Sequence, residues 1–262
     1  MKKRSKKKKS NGFAKVMVIS WLLCTSIFVA NELYPLRILW EQLFPIHYKS
    51  YSKFGIKIPT QYKVHGIDVS HHQGSINWKM VEGMRDNGLK IDFAFIKATE
   101  GITHTDSRYR INWKGSKENN LIRGAYHYFK HNQKGEEQAA HFIRNVKLTS
   151  GDMPPIIDVE ELGDISTARL MEGVLNCANK LEQHYGVKPI IYTYHDFYKQ
   201  NFDESFKDYT LWIAHYYVGK PDNTEWNFWQ HNDRGRVSGI NTPVDFNVFN
   251  RGLEEMKLGL VR

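Results

Sequence analysis

Residues 154–162 read PPIIDVEEL, an apolar run that ends abruptly in three carboxylates. Its composition is that of a short strand buried on both faces, opened by prolines and closed by acid. Similar segments stand on either side of it: VHGIDVS (64–70), DFAFIKATE (92–100) and IRGAYHYFK (122–130) before, and KPIIYTY (188–194) after. Helix-like stretches at 77–87, 107–119, 135–147 and 167–185 separate them. Four repeats of strand then helix imply right-handed crossovers and a parallel sheet. Beyond Tyr194 the spacing shortens, and YTLWIAHYY (209–217), WNFWQHN (226–232) and PVDFNVF (243–249) follow with turn-like links. The count reaches eight, the number that closes a barrel filled by side chains. The expected fold is therefore α/β, an irregular TIM-like barrel that loses its outer helices late in the chain. An open doubly wound sheet is the competitor, but no glycine-rich phosphate loop accompanies these strands.

The 262 residues, 41% hydrophobic, suit one large domain. Formal charge is +9, yet eight of the 37 Lys and Arg fall within residues 1–15, leaving 29 basic against 28 acidic residues in the remainder. A nearly neutral body removes the main support for nucleic-acid binding. The basic head runs into VMVISWLLCTSIFVA at 16–30, fifteen residues without a charge. Residues 1–31 are read as a cytoplasmic head and an uncleaved membrane anchor, since Phe28 spoils a signal-peptidase site. That orientation sends the rest across the membrane, to the periplasm or cell surface; a secreted product is the alternative. Residues 32–63 are expected to be a connector, and 64–262 the barrel domain. Cys24 lies in the apolar run and Cys177 in a helical pattern, so no disulfide is expected.

In a strand, residues two apart share a face, so Asp158 and Glu160 project together while Val159 points away. Strand ends on the C-terminal rim of such a barrel form its site. Other strands carry acids too: Asp68 in the first, Glu100 at the end of the second, Asp245 in the last. Carboxylates converging on one rim repel one another, raising some pKa values and leaving others ionised, as glycosidic bond cleavage requires. Tyr126, Tyr128, Tyr192, Tyr194, Trp212, Tyr216, Trp226 and Trp229 flank these strand ends. Sugar rings have apolar faces that stack on such groups, although core packing is the better explanation of any one aromatic, and only those at the strand ends are expected to touch ligand. A metal is not expected: His71 and His72 diverge if extended, and His127 and His131 straddle a strand end. No Gly-x-Ser-x-Gly elbow supports a serine hydrolase.

Together GIDVSHHQGSINW (66–78), FAFIKATEG (93–101), GAYHYF (124–129), PPIIDVE (154–160), PIIYTY (189–194), LWIAHY (211–216), WQH (229–231) and VDFNVF (244–249) resemble glycoside hydrolase family 25, the Chalaropsis-type lysozymes. The resemblance implies five β/α units followed by three further strands. It also implies hydrolysis of the β-1,4 bond between N-acetylmuramic acid and N-acetylglucosamine in peptidoglycan, by a monomer without a cofactor. Glu160 matches the family's proton donor, Asp158 its strand neighbour, and Asp68 and Asp245 the other acids of the cleft; the nucleophile is left open. Glu100, the tyrosines 126, 128, 192, 194 and 216, Trp212, Trp229 and Gln230 are the expected substrate contacts. Family members often carry wall-binding repeats; none follows Phe249, so the anchor is expected to do the tethering. The rival readings are a wall-binding module without turnover and a metal-dependent polysaccharide deacetylase.

Overall fold

The computed structural model describes residues 47–221 and 225–262. Residues 1–46, which include the expected anchor, lie outside the described residues. Among the described residues, no helix is long and apolar enough to cross a membrane.

The chain enters as a hairpin, β1 (Tyr48–Tyr51) and β2 (Ile56–Pro59). The barrel then begins with β3 (Val64–Val69), helix α1 (Trp78–Gly83) and β4 (Phe93–Glu100). A two-residue strand, β5 (His104–Thr105), folds back on the end of β4. Next come α2 (Tyr109–Glu118), β6 (Ile122–Tyr128), α3 (Gly135–Asn145), β7 (Ile156–Asp158), α4 (Thr167–Tyr185), β8 (Ile190–Tyr194) and α5 (His195–Asn201). The last third holds β9 (Thr210–Ala214), β10 (Phe228–Gly235), β11 (Val244–Phe249) and the closing helix α6 (Leu253–Leu258). All eight expected strands and four expected helices are present, with α4 spanning the expected 167–185. The length of α4 follows from its ends and its face. Ser166 Oγ accepts from the Arg169 amide at 3.3 Å, Gly186 stops the helix at φ +72°, and Leu170, Val174, Cys177 and Leu181 fall on one buried side.

Six strand pairs from β3 through β10 are parallel, whereas β11 runs antiparallel to both β10 and β3 and closes the barrel. The architecture is five β/α units and three further strands. Alternation along the strands sorts side chains into two cores. Ile67, Ile96, Ala125, Ile157, Val159, Ile191 and Ile213 face outward beneath the helices. Val64, Phe93, Phe95, Ile156, Tyr192, Trp212 and Phe228 fill the interior. That interior is unusually aromatic, and glycines make room for it: a Cβ on Gly66 would lie 2.3 Å from the Phe93 ring, and one on Gly124 would lie 2.8 Å from Phe95.

The hairpin occupies residues expected to be a connector. Ile56 and Ile58 alternate with exposed Lys57, and Phe54 in the turn is fully buried with its ring 5.3 Å from that of Phe246. The Arg236 amide donates to the Phe54 carbonyl at 2.8 Å. Apolar residues two apart gave this segment a face to bury, and it buries that face on the outer side of the last strands.

Candidate active site

Asp68 sits near the C-terminal end of β3, on the interior face. Asp245 lies at the start of β11, and in a parallel strand that position would belong to the opposite end of the barrel. Because β11 is reversed, Asp245 is the register partner of Asp68, and both stand at the mouth. From the far side β7 contributes Asp158; the strand ends there, but the Val159 amide still donates to the Tyr192 carbonyl at 2.9 Å. Alternation is thereby held one step further, burying Val159 outward and turning Glu160 into the cleft. All four acids line one cleft, Asp245 only because β11 is reversed.

A hydrogen-bonded network fixes Asp68. Its Oδ2 accepts from Asn247 Nδ2 at 2.7 Å and from Gln230 Nε2 at 2.8 Å. Asn247 accepts in turn from the Trp212 indole at 2.7 Å, and Gln230 Oε1 accepts from the hydroxyls of Tyr192 (2.8 Å) and Tyr216 (2.6 Å). Every donor in this chain points toward one carboxylate, the arrangement expected around a group that carries charge in a buried place. Burial pushes Asp68 up to about 6, against the opposing pull of Asn247 and Gln230. Asp245 goes higher, to about 9, first through burial and then through the negative charge of Asp68, so at neutral pH it holds a proton that it can donate to its neighbour. Asp158 is raised well above the carboxylate range by burial and then by Glu160, with Lys97 pulling the other way. One of its oxygens, Oδ1, is buried without a hydrogen-bond partner. Glu160 is raised by burial and by Asp68 and Glu161, with the hydroxyls of Tyr192 and Tyr194 opposing. It is only partly buried, so it is both protonatable and reachable.

Of the expected substrate contacts, Tyr126, Tyr128, Tyr192, Tyr194, Trp212, Tyr216 and Gln230 line the cleft. Trp212 is 2% exposed, forming a floor against Phe95 and Tyr192 with centroids 4.3 Å away in each case. Glu100 and Trp229 are not part of that lining. Glu100 is engaged by Lys97 at 2.8 Å and Lys130 at 3.2 Å; burial raises its pKa, but the two lysines outweigh it and the net shift is downward. Trp229 is on the outward face of β10, one residue from inward Gln230, with its indole donating to the His215 carbonyl at 2.9 Å and its ring 5.8 Å from that of Trp226. Of the histidines weighed for a metal, His71 and His72 do not diverge as expected, since they sit in a helical turn with ring centroids 4.0 Å apart; His71 bonds Asp106 at 2.8 Å, and His127 is held between Thr99 (2.7 Å) and Gln138 (3.1 Å). Among the described residues, no three His, Cys, Asp or Glu side chains are placed to share a metal ion.

Lys97 in the cleft lining and Asn247 buried behind it were not singled out from the sequence. Lys97 is the cleft's cation, its Nζ 4.8 Å from the Tyr128 ring centroid. Its signal was parity, since Phe93, Phe95 and Lys97 alternate along β4 and the first two face inward. Asn247 is two residues from Asp245 on the same strand face, and it stood in the sequence as a polar residue amid a buried run.

A model of the glycosyl hydrolases family 25 matches residues 67–240, more than half of the chain. YegX of Escherichia coli K12 is 48% identical over 212 residues, which cover 80% of this chain and 78% of that protein. The autolytic lysozyme of Clostridium acetobutylicum is 36% identical over 189 residues, 72% of this chain and 56% of its own. Among solved structures, a family 25 glycosyl hydrolase from Bacillus anthracis is similar with a TM-score of 0.71 and 31% identity, covering 82% of this chain and 97% of that one. From the extent of these matches and a barrel of the same architecture, the chain belongs to glycosyl hydrolases family 25.

Proposed function

We propose that the protein is a muramidase that hydrolyses the β-1,4 bond between N-acetylmuramic acid and N-acetylglucosamine in peptidoglycan, with Glu160 as the proton donor. The observation that carries the reading is a raised, partly exposed Glu160 in a cleft shared with carboxyls from three other strand positions. Glu160 gives its proton to the glycosidic oxygen as the bond to the anomeric carbon breaks, the positive character of that carbon is met by the anionic side of the cleft, and water then adds to the carbon and returns a proton to Glu160. Asp158, with its unpartnered Oδ1, accepts the N–H of the sugar's 2-acetamido group and turns it toward the reacting carbon. The Asp68 and Asp245 pair, sharing a proton, steadies the opposite side through the Gln230 and Asn247 amides. Aromatic rings on the lip, Tyr194 among them, hold the sugar by its apolar face. The work is extracytoplasmic, where peptidoglycan lies, with residues 1–31 serving as membrane anchor or export signal.

The test is release of reducing ends from purified peptidoglycan, with mass spectrometry of the products to fix the bond. Glu160→Gln should lower the rate by about 10²–10⁴-fold while leaving the fold intact. Intact folding of the parent chain with no released ends would instead mark a wall-binding module without turnover.

A further inference from the structure

Tyr217 follows the last cleft residue of β9's loop and is 61% exposed. Its backbone is in the left-handed region, φ +57°, which an aromatic residue seldom adopts. Three attachments hold it there. Its hydroxyl donates to the Asp233 carboxylate, the Arg234 guanidinium lies 5.6 Å from its ring centroid, and the two carbonyls that follow it, Val218 and Gly219, accept from the Tyr48 hydroxyl at 2.8 and 3.1 Å. A solvent-facing tyrosine with no task needs neither a strained backbone nor a strap from the N-terminal hairpin. The ring is placed, and it is placed just outside the cleft lining: its centroid is 6.3 Å from that of Tyr216, which lines the cleft and bonds Gln230. On the adjacent strand, Tyr194 is the other exposed aromatic of this lip, at 40%. The two exposed rings flank the side of the mouth where β8, β9 and β10 end.

We propose that Tyr217, clasped by Asp233 and Arg234, is an outer sugar subsite that stacks a ring of the glycan strand beyond the pair sharing the scissile bond. The proposal rests on the muramidase reading, because it takes the ligand to be a longer piece of that same polymer. A pyranose offers a C–H face to an aromatic ring and hydroxyls at its edge, and here the ring comes with a carboxylate acceptor and a guanidinium donor beside it. Tyr48 then acts as a positioning residue, since it touches the loop and not the sugar.

The experiment is calorimetric titration of the full chain carrying Glu160→Gln with purified peptidoglycan oligosaccharides of increasing numbers of disaccharide repeats. Affinity should step up at the length that reaches Tyr217, and adding Tyr217→Ala should remove that step, about tenfold in Kd, while shorter oligosaccharides bind as before. Tyr217→Phe keeps the ring and should retain the step within about threefold; Tyr48→Phe should weaken it without affecting short ligands. A length ladder unchanged by Tyr217→Ala, in a protein whose parent form hydrolyses peptidoglycan, overturns the subsite. A parent that releases no reducing ends overturns the muramidase reading itself, and the subsite with it.

Discussion

Replacing Asp245 with asparagine should make the protein more stable at neutral pH, and the size of the gain follows from the shared proton. In the folded chain, burial and the Asp68 charge lift Asp245 to about 9; an unfolded chain leaves an aspartate at about 3.9. Below about pH 4 both states carry the proton and the carboxyl has no effect on the balance. Above that, only the folded state keeps it, so stability drains as the pH rises and the loss is complete beyond about 9. At pH 7 the gap of roughly three units corresponds to about 4 kcal/mol at 1.36 kcal/mol per unit. Asp68, itself raised to about 6, shares that proton and part of that loss, so relieving Asp245 alone should return about 2 kcal/mol. The asparagine amide is neutral throughout and can donate to Asp68 as the protonated acid does. Asp245→Asn should therefore raise Tm at pH 7 by about 4–8 °C in a domain of this size, with the gain vanishing near pH 4. Urea unfolding at those two pH values reads it directly. A variant less stable than its parent at pH 7, or one gaining equally at both pH values, would refute the proton-sharing account.

Asn247→Leu should remove the bond that holds the Asp68 anion and orphan the Trp212 indole, costing about 1–3 kcal/mol in urea unfolding. Because Asn247 lowers the Asp68 pKa, its loss should also move any acid limb of the pH–rate profile that follows Asp68 to higher pH. Phe54→Ala should cost about 3–5 kcal/mol, since the ring is fully buried against Phe246; a loss under about 1 kcal/mol, read by urea unfolding, would show the hairpin to be an ornament on the barrel.

The strand ladder was legible because its signal is local: apolar runs of strand length separated by helical stretches leave few alternatives. The Asp158 and Glu160 pairing was legible for the same reason, alternation being a property of three consecutive residues. What lay beyond local pattern was orientation. Asp245 begins its strand, and only the reversal of β11 brings it opposite Asp68; the short link after β10 was the available sign, since antiparallel neighbours can be joined by tight connections and parallel ones cannot. Glu100 and Trp229 were misplaced for different reasons. Glu100 pairs with Tyr128 across a register shift in β4, and two lysines rather than its strand face hold it out of the lining, whereas Trp229 is one residue from inward Gln230 and faces outward. The Gln230 and Asn247 bridges to Asp68 span 162 and 179 residues, a distance over which no pattern in sequence signals contact.

That reversed last strand also governs when the protein can act. Contacts closing so late in the chain are slow to form, because the ends of a long loop must first be brought together. A polypeptide still emerging from the ribosome has made Asp158 and Glu160 well before Asp245 and Asn247 exist, so its half-built mouth lacks the anchor of the Asp68 anion. Competence therefore arrives all at once with the final stave, and any truncation upstream of Val244 leaves a chain that is both unclosed and unarmed.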